Sequence, residues 1–299
     1  MKKITLILFF ASLLILLGFN ESEILKPEIE PSLGSKNGTL LIIGGAARNP
    51  IFFQLFKEYA GGDNAKIIVV PTAYDDEQIK SDTGFVRLRT IFERVGFTNI
   101  HILHTRDTAV ANTKEFCEPI RDAKGVYFMG GRQWRIADGF LNTRAHNEFN
   151  KLLDRGGIIA GSSAGATIQG TYLARGDTKE NTIMLGDHEV GLGFLKNTAI
   201  DQHLLVRNRH FDIFEILEKH PQLLGIGLDE NTGILVKFDK FEVVGNSFVA
   251  IYDGTRYSQE KDTIYQLPFN SREFYLLKSG DKYDLRNRKV IQEKDKATE

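Results

Sequence analysis

The chain has 299 residues, of which 42% are hydrophobic and 10% are aromatic, so it carries enough apolar material for a sizeable buried core. Its 38 basic and 39 acidic residues give a formal net charge of -1, so nucleic acid is not an expected partner. Cys117 is the only cysteine, which excludes an internal disulfide, and we expect it to be a packed apolar side chain.

The chain begins with a predicted secretory signal peptide, assigned to residues 1–22. A short basic start precedes an uninterrupted apolar run over residues 4–19, and residues 23–38 are predicted to be a flexible leader. An uncleaved membrane anchor is the alternative, although the run is slightly short for a membrane span. We therefore expect a secreted or periplasmic protein with no stable membrane association once the leader is removed.

Short apolar runs then alternate with helical segments. The runs are "TLLIIGG" from residue 39, "KIIVVPTA" from 66, "NIHILHT" from 99, "GVYFMGG" from 125 and "GIIAGSSAG" from 157. Continuous Ile and Val runs bounded by Gly or Pro are typical of strands buried on both faces. The pattern predicts a doubly wound α/β domain over residues 39–280, with a mostly parallel sheet and helices on both faces.

The pattern changes in the C-terminal part of the chain. The segment "VVGNSFVAIYDG", residues 243–254, predicts an added β-hairpin that turns at Gly245 and Asn246. Residues 281–299 are charged and are predicted to form a frayed tail.

The segment "GIIAGSSAGATIQG" places Ser163 where a buried strand ends and a helix begins. It fits G-x-S-x-G, the nucleophile elbow, in which a strained turn exposes one hydroxyl above the sheet. The N–H of Ala164 would then point at an oxyanion, and Ser162 would be structural. A plain tight turn or a phosphate-binding loop are the alternatives.

A serine nucleophile needs a general base within hydrogen-bond reach. Of the seven histidines, His203 is favoured because it follows a short apolar stretch in "AIDQHLLVRNRHF". A structural histidine is the competing interpretation for this position. The other six lie along a predicted strand or in helical or polar surface segments, and we expect them to be non-catalytic.

The ordered motifs "LLIIGGAA", "YFMGGRQWR", "GSSAGA", "GLGF" and "DQHLLVRNR" resemble those of the cyanophycinases. These are relatives of the aspartyl dipeptidases, and they are serine peptidases with a class I glutamine amidotransferase-like fold. The resemblance covers nearly all of the chain after the leader. It implies that Ser163 is the nucleophile and His203 the general base.

The resemblance also places the third member of the triad between these two residues. The segment "ARGDTKEN" offers Glu180, which is favoured by its spacing to "GLGF", and Asp177, which remains the alternative. Either carboxylate is otherwise an ordinary solvated loop residue.

The resemblance further implies an oxyanion hole and a substrate pocket. The second oxyanion donor would be the N–H of Gly130 or Gly131, beside that of Ala164. Gln133 matches a pocket glutamine, whereas Arg132 stands where the family has a small acidic residue. The remaining expected substrate-binding residues are Asp201, Gln202, Arg207 and Arg209.

Within that pocket an acidic side chain would hold a guanidinium and an arginine would hold a carboxylate. Pairing of these side chains with one another is an equally weighted alternative.

The implied reaction is hydrolysis of cyanophycin, a polymer with a poly-aspartate backbone and arginine on each side-chain carboxyl, to β-Asp-Arg dipeptides. No metal or organic cofactor is expected. The expected partner is a polypeptide substrate, and a homodimer is one expected assembly because the family often forms dimers. The alternatives are a peptidase for short aspartyl peptides and a non-catalytic binding protein with the same fold.

Overall fold

The computed structural model describes residues 30–258, 261–268 and 271–292. The predicted signal peptide and the first part of the predicted leader lie outside these residues. Within the part of the chain that is described, no helix has both the length and the apolar character needed to cross a bilayer.

The elements alternate between strand and helix over the first half of the chain. The helices are α1 Ile51–Ala60, α2 Asp76–Ser81, α3 Val86–Arg94, α4 Thr108–Ala111, α5 Lys114–Arg121, α6 Gln133–Phe140, α7 Arg144–Asp154, α8 Ala164–Thr167 and α9 Phe214–Lys219, with a 3-10 helix at Thr83–Phe85. The first strands are β1 Thr39–Ile43, β2 Ile67–Val70, β3 Ile100–Ile102, β4 Gly125–Phe128, β5 Ile158–Ser162, β6 Gly170–Tyr172, β7 Leu195–Gln202 and β8 Leu224–Leu228. The later strands are β9 Thr232–Lys237, β10 Lys240–Gly245, β11 Phe248–Tyr252, β12 Thr255–Ser258, β13 Lys261–Gln266, β14 Tyr275–Lys278, β15 Lys282–Asp284 and β16 Lys289–Ile291.

The main sheet has the strand order β16-β15-β10-β9-β1-β5-β4-β2-β3. Its half from β1 to β3 is parallel, whereas β9, β10, β15 and β16 pair antiparallel. Along β1, Leu40 and Ile42 enter one apolar core and Leu41 and Ile43 enter another. Alternate side chains of a strand point to opposite faces, so both faces of the sheet are covered, and the predicted α/β class is confirmed.

A second sheet has the order β14-β11-β8-β7-β6, in which β6, β7 and β8 run parallel. The predicted hairpin at Gly245 and Asn246 is wrong, because β10 pairs with strands of the main sheet while β11 pairs with β8 and β14 of the second sheet. Gly245 has φ +111°, and the turn there carries the chain from one sheet to the other. A short Gly-Asn link between two apolar runs fits either connection, so local sequence does not distinguish them.

The segments just before and just after the predicted domain, residues 39–280, pair with its strands and loops. In the described part of the predicted leader, the N–H of Gly34 donates to the carbonyl of Phe238 at 2.8 Å and the N–H of Lys196 donates to the carbonyl of Leu33 at 2.9 Å. At the other end, β15 and β16 extend the main sheet. Residues 30–38 and 281–291 therefore form part of the domain, which differs from the flexible leader and frayed tail predicted there.

Cys117 is 1% exposed, and its Sγ donates to the carbonyl of Ala111 at 3.4 Å. Burial raises the pKa of its thiol, so the residue is held as a protonated side chain of the core.

Candidate active site

Ser163 lies directly after β5, where the short helix α8 begins. Its backbone has φ +57° and ψ -115°, a conformation that is unfavourable for a residue with a Cβ and persists only where the surroundings hold it. The N–H of Ser163 donates to the carbonyl of Ile43 at 3.0 Å, which fixes the turn against β1. This is the geometry that the G-x-S-x-G pattern predicted.

The glycines around Ser163 have no space for a side chain. A Cβ on Gly161 would lie 2.1 Å from the carbonyl oxygen of Gly165, and a Cβ on Gly165 would lie 2.1 Å from that of Phe128. Backbone therefore packs directly on backbone, and this close approach explains the run of small residues on either side of the serine.

His203 follows β7 and reaches the serine. Its Nε2 lies 2.9 Å from Oγ of Ser163, and its N–H donates to the carbonyl of Gly44 at 2.9 Å. The ring packs on Gly45, where a Cβ would lie 2.3 Å from Cε1 of the imidazole. The Ser163 and His203 side chains are thus within hydrogen-bond reach, as a nucleophile and its general base must be.

The carboxylate that contacts the imidazole is Glu230, not Glu180 or Asp177. Oε1 of Glu230 lies 2.6 Å from Nδ1 of His203. Glu180 is exposed and accepts a hydrogen bond from Thr182, while Asp177 accepts the N–H groups of Lys179 and Glu180 within its own loop.

Glu230 follows the buried strand β8, which runs parallel to β7. Functional side chains of an open parallel sheet lie beyond the carboxyl ends of its strands. The two carboxylates that follow the apolar run in "LGIGLDEN" are the sequence signal for this position, since they lie at the carboxyl end of a buried strand.

Asp229 supports the turn that carries His203. Its Oδ1 accepts the N–H groups of Leu205 at 2.9 Å and Val206 at 3.1 Å, and its Oδ2 accepts Oγ–H of Ser247 at 2.6 Å. His203 itself has φ +55°. The carboxylate thus holds the chain immediately after a strained residue, and so restricts where the imidazole points.

The pKa of His203 is lowered, and burial is the main cause. The hydrogen bond that Nδ1 of His203 donates to Glu230 raises the pKa in part, and the positive charge of Arg207 lowers it further. A general base must be neutral to accept a proton. The imidazole is therefore available at neutral pH, and it is lost as a base only when the pH falls through its lowered pKa.

The Arg207→Gln variant tests this charge effect. Removing the cation removes an influence that lowers the His203 pKa, so the acidic limb of the kcat/KM profile is expected to move to higher pH. The limb is measured at low ionic strength, where exposed charges are least screened. Arg94→Gln, on α3, is the matched control and should leave the limb in place; equal movement in both variants would contradict the assignment.

The predicted oxyanion residues lie around the serine. A Cβ on Gly130 would lie 3.3 Å from Cβ of Ser163, and Gly131 has φ +137° with its Cα packed on the carbonyl of Ala73. Ala164 is fully buried at the start of α8, where the first N–H groups of a helix have no partner within the helix. Their role as oxyanion donors stays a prediction.

Two of the predicted pocket residues have their side chains fully buried. Gln133 is 0% exposed, and its Nε2 donates to the carbonyls of Ala174 and Arg175. Asp201 is also 0% exposed and forms an ion pair with Arg175. The structure therefore places these two in contacts within the chain.

The predicted cations differ in their surroundings. Nη1 of Arg209 donates to the backbone oxygen and Oε1 of Gln202, at 3.1 and 3.4 Å, and burial lowers the pKa of Arg209 to about 10. Arg207 is exposed, and Arg132 donates to the carbonyl of Asp177. None of the three has a carboxylate within 4.0 Å in the described ranges.

No group of three or more His, Cys, Asp or Glu side chains suited to a metal ion occurs among the described residues.

Comparison with known proteins gives the family. The model of peptidase family S51 matches residues 40–244. The chain belongs to peptidase family S51. It is therefore a serine-type peptidase, and the resemblance to cyanophycinases drawn from its motifs is confirmed at the level of the family.

Individual relatives in family S51 agree with this assignment. The chain is 29% identical to the cyanophycinase of Geminocystis herdmanii over 85% of its length and 95% of that protein. It is 28% identical to the cyanophycinase of Trichormus variabilis over 84% of its length and 87% of that protein. The crystal structure of a peptidase from an acI-B1 Actinobacterium superposes with a TM-score of 0.59 at 23% identity, covering 85% of this chain and 98% of that one, which supports the fold.

Proposed function

We propose that this family S51 peptidase uses Ser163, His203 and Glu230 as its catalytic triad. The observation that carries the proposal is the continuous contact from Oγ of Ser163 through the imidazole to the Glu230 carboxylate, at 2.9 and 2.6 Å. The hydroxyl attacks the substrate carbonyl while Nε2 accepts its proton and later delivers it to the leaving amine. Glu230 holds the proton on Nδ1, so that Nε2 remains the acceptor.

The tetrahedral intermediate needs donors for its oxyanion. The N–H of Ala164 and that of Gly130 or Gly131 are the proposed donors, and each such donor contributes about 3 kcal/mol in well-studied enzymes. A water molecule, activated by the same imidazole, then hydrolyses the acyl-enzyme.

The proposed substrate is cyanophycin, cleaved to β-Asp-Arg dipeptides. Support comes from the two curated relatives, both named cyanophycinase and matched over most of their length. The cations Arg207 and Arg209 supply the electrostatic part of recognition, since a guanidinium binds a carboxylate through two parallel hydrogen bonds. In cyanophycin the aspartate side-chain carboxyls are bonded to arginine, and the carboxylates of the arginine units are the groups available for such binding.

Product analysis tests this substrate assignment. The full chain is incubated with purified cyanophycin, with poly-L-aspartate and with α-linked aspartyl dipeptides, and the soluble products are identified by mass spectrometry. We expect β-Asp-Arg from the polymer and little product from the other two. Cleavage of the dipeptides alone would replace cyanophycin by short aspartyl peptides as the substrate class.

We further propose that the protein acts outside the cell, on polymer released by other cells. The basis is the sequence of residues 1–19, a short basic start followed by an apolar run. N-terminal sequencing of the protein recovered from culture medium tests this: a chain that begins after the apolar run supports export, and recovery only of the intact chain from cells contradicts it.

A further inference from the structure

Arg175 is a buried arginine that pairs with Asp201. The catalytic triad does not account for its presence. Arg175 is 1% exposed and follows β6. Its Nε and Nη2 donate to the two carboxylate oxygens of Asp201 at 2.8 and 2.9 Å, and Nη2 also donates to Oδ2 of Asp212 at 2.6 Å. This fork on one carboxylate, closed by a second, is the arrangement that proteins use to bind a guanidinium group.

The backbone at Arg175 is held in an unfavourable conformation. Its φ is +57°, a left-handed value that glycine adopts readily and a residue with a Cβ does not. The side chain of Gln133 secures it by donating to the carbonyls of Ala174 and Arg175, both at 2.8 Å. Strain of this kind is retained where a specific side-chain position is required.

Both oxygens of the Asp201 carboxylate are hydrogen-bonded within the chain. Besides both bonds from Arg175, its Oδ1 accepts the N–H of Gln202 at 2.9 Å, and the side chain is 0% exposed. Asp201 lies two residues before His203, at the end of the strand that carries the general base. The acidic side chain nearest in sequence to that base is thus neutralised from within the chain.

Arg207 and Arg209, the cations that follow His203, have no such ion pair within the described ranges. Arg207 is exposed, and the guanidinium of the buried Arg209 donates to two oxygens of Gln202. Because Asp201 is neutralised by Arg175 while Arg207 is exposed and has no carboxylate within 4.0 Å in the described ranges, the region presents positive charge to a substrate.

We propose that Arg175 is a specificity-determining residue, whose guanidinium fills an acidic site built on Asp201, two residues before the catalytic histidine, and thereby closes it to guanidinium groups of the substrate. The substrate is then selected through its anionic groups. This inference goes beyond the proposed function, because it concerns contacts within the chain that exist whichever peptide is cleaved.

Thermal unfolding of Arg175→Gly tests whether the site binds a guanidinium. Glycine suits the positive φ, so this variant removes the guanidinium without adding backbone strain. We expect its Tm to fall, because two buried or half-buried carboxylates lose their cation. Added methylguanidinium should recover at least half of that loss, whereas methylammonium at the same concentration should not, since it lacks the planar fork.

The double variant Arg175→Gly with Asp201→Asn is the matched control. It lacks the carboxylate that would receive the added ion, so methylguanidinium should no longer exceed methylammonium in its effect. Selective stabilisation of the double variant, or of the wild-type protein, would overturn the proposal, as would equal effects of both ions on Arg175→Gly. If Arg175→Gly does not fold, the test uses the wild-type and Arg175→Lys proteins. The proposal requires that methylguanidinium raises the Tm of neither protein more than methylammonium does.

A second measurement tests specificity. KM is compared for two aspartyl peptides that differ only in carrying arginine or norleucine. In Arg175→Gly the ratio of the arginine KM to the norleucine KM should fall about fivefold from its wild-type value, and an unchanged ratio would overturn the specificity assignment. If neither protein cleaves either peptide, the proposed function fails, and the unfolding experiment alone decides whether Arg175 fills a guanidinium site.

Discussion

Replacing Ser163 by alanine is expected to lower kcat/KM on cyanophycin by on the order of 10⁴-fold or more. The variant removes the nucleophilic oxygen, which lies 2.9 Å from Nε2 of His203, while the oxyanion donors and the substrate pocket remain. Binding should therefore persist, and the loss should appear in kcat. The measurement is the initial rate of dipeptide release, with circular dichroism and thermal unfolding to establish that the variant is folded.

Ser162→Ala is the matched control for that variant. Ser162 is the last residue of β5, has the same side chain as its neighbour, and should retain activity within about twofold. A fluorophosphonate should label the wild-type and Ser162→Ala proteins but not Ser163→Ala. Full activity in Ser163→Ala, or labelling that depends on Ser162, would contradict the proposed mechanism.

The second large effect is expected at Glu230. Glu230→Gln keeps the shape of the side chain but replaces a carboxylate 2.6 Å from Nδ1 of His203 by a neutral amide. The amide neither stabilises the imidazolium nor fixes the proton on Nδ1, and loss of this function costs on the order of 10⁴ in kcat in Ser-His-Asp triads. KM should change little, because Glu230 reaches the substrate only through the imidazole.

The pH profile gives Glu230→Gln a second signature. Glu230 raises the His203 pKa, so its neutralisation should move the acidic limb of kcat/KM to lower pH, opposite to the shift expected for Arg207→Gln. Glu180→Gln is the matched control, since Glu180 is exposed and bonded to Thr182; its activity should stay within about twofold. A large loss in Glu180→Gln together with a mild effect in Glu230→Gln would restore the sequence-based triad.

Much of the fold was predictable because strands of a parallel sheet that are buried on both faces appear in the sequence as continuous apolar runs. The runs that became β1 and β2 consist almost entirely of Ile, Val and Leu, and those that became β4 and β5 are apolar runs that contain glycine, since both faces of these strands are covered. The connection at Gly245 was not predictable in this way. The same Gly-Asn link serves a hairpin or a crossing between sheets, and the choice depends on which distant strand is available for pairing.

The sequence by itself determined the strand-turn-helix around Ser163, because close packing of its glycines is a local requirement that small residues reveal. It also indicated His203 through a short motif. Only the tertiary structure decided that Glu230 contacts this histidine, across 27 residues, and that Arg175 contacts Asp201, across 26 residues. The physical reason is that these contacts join the ends of different elements, and the side chains that meet there depend on strand order and loop path, which no local pattern records.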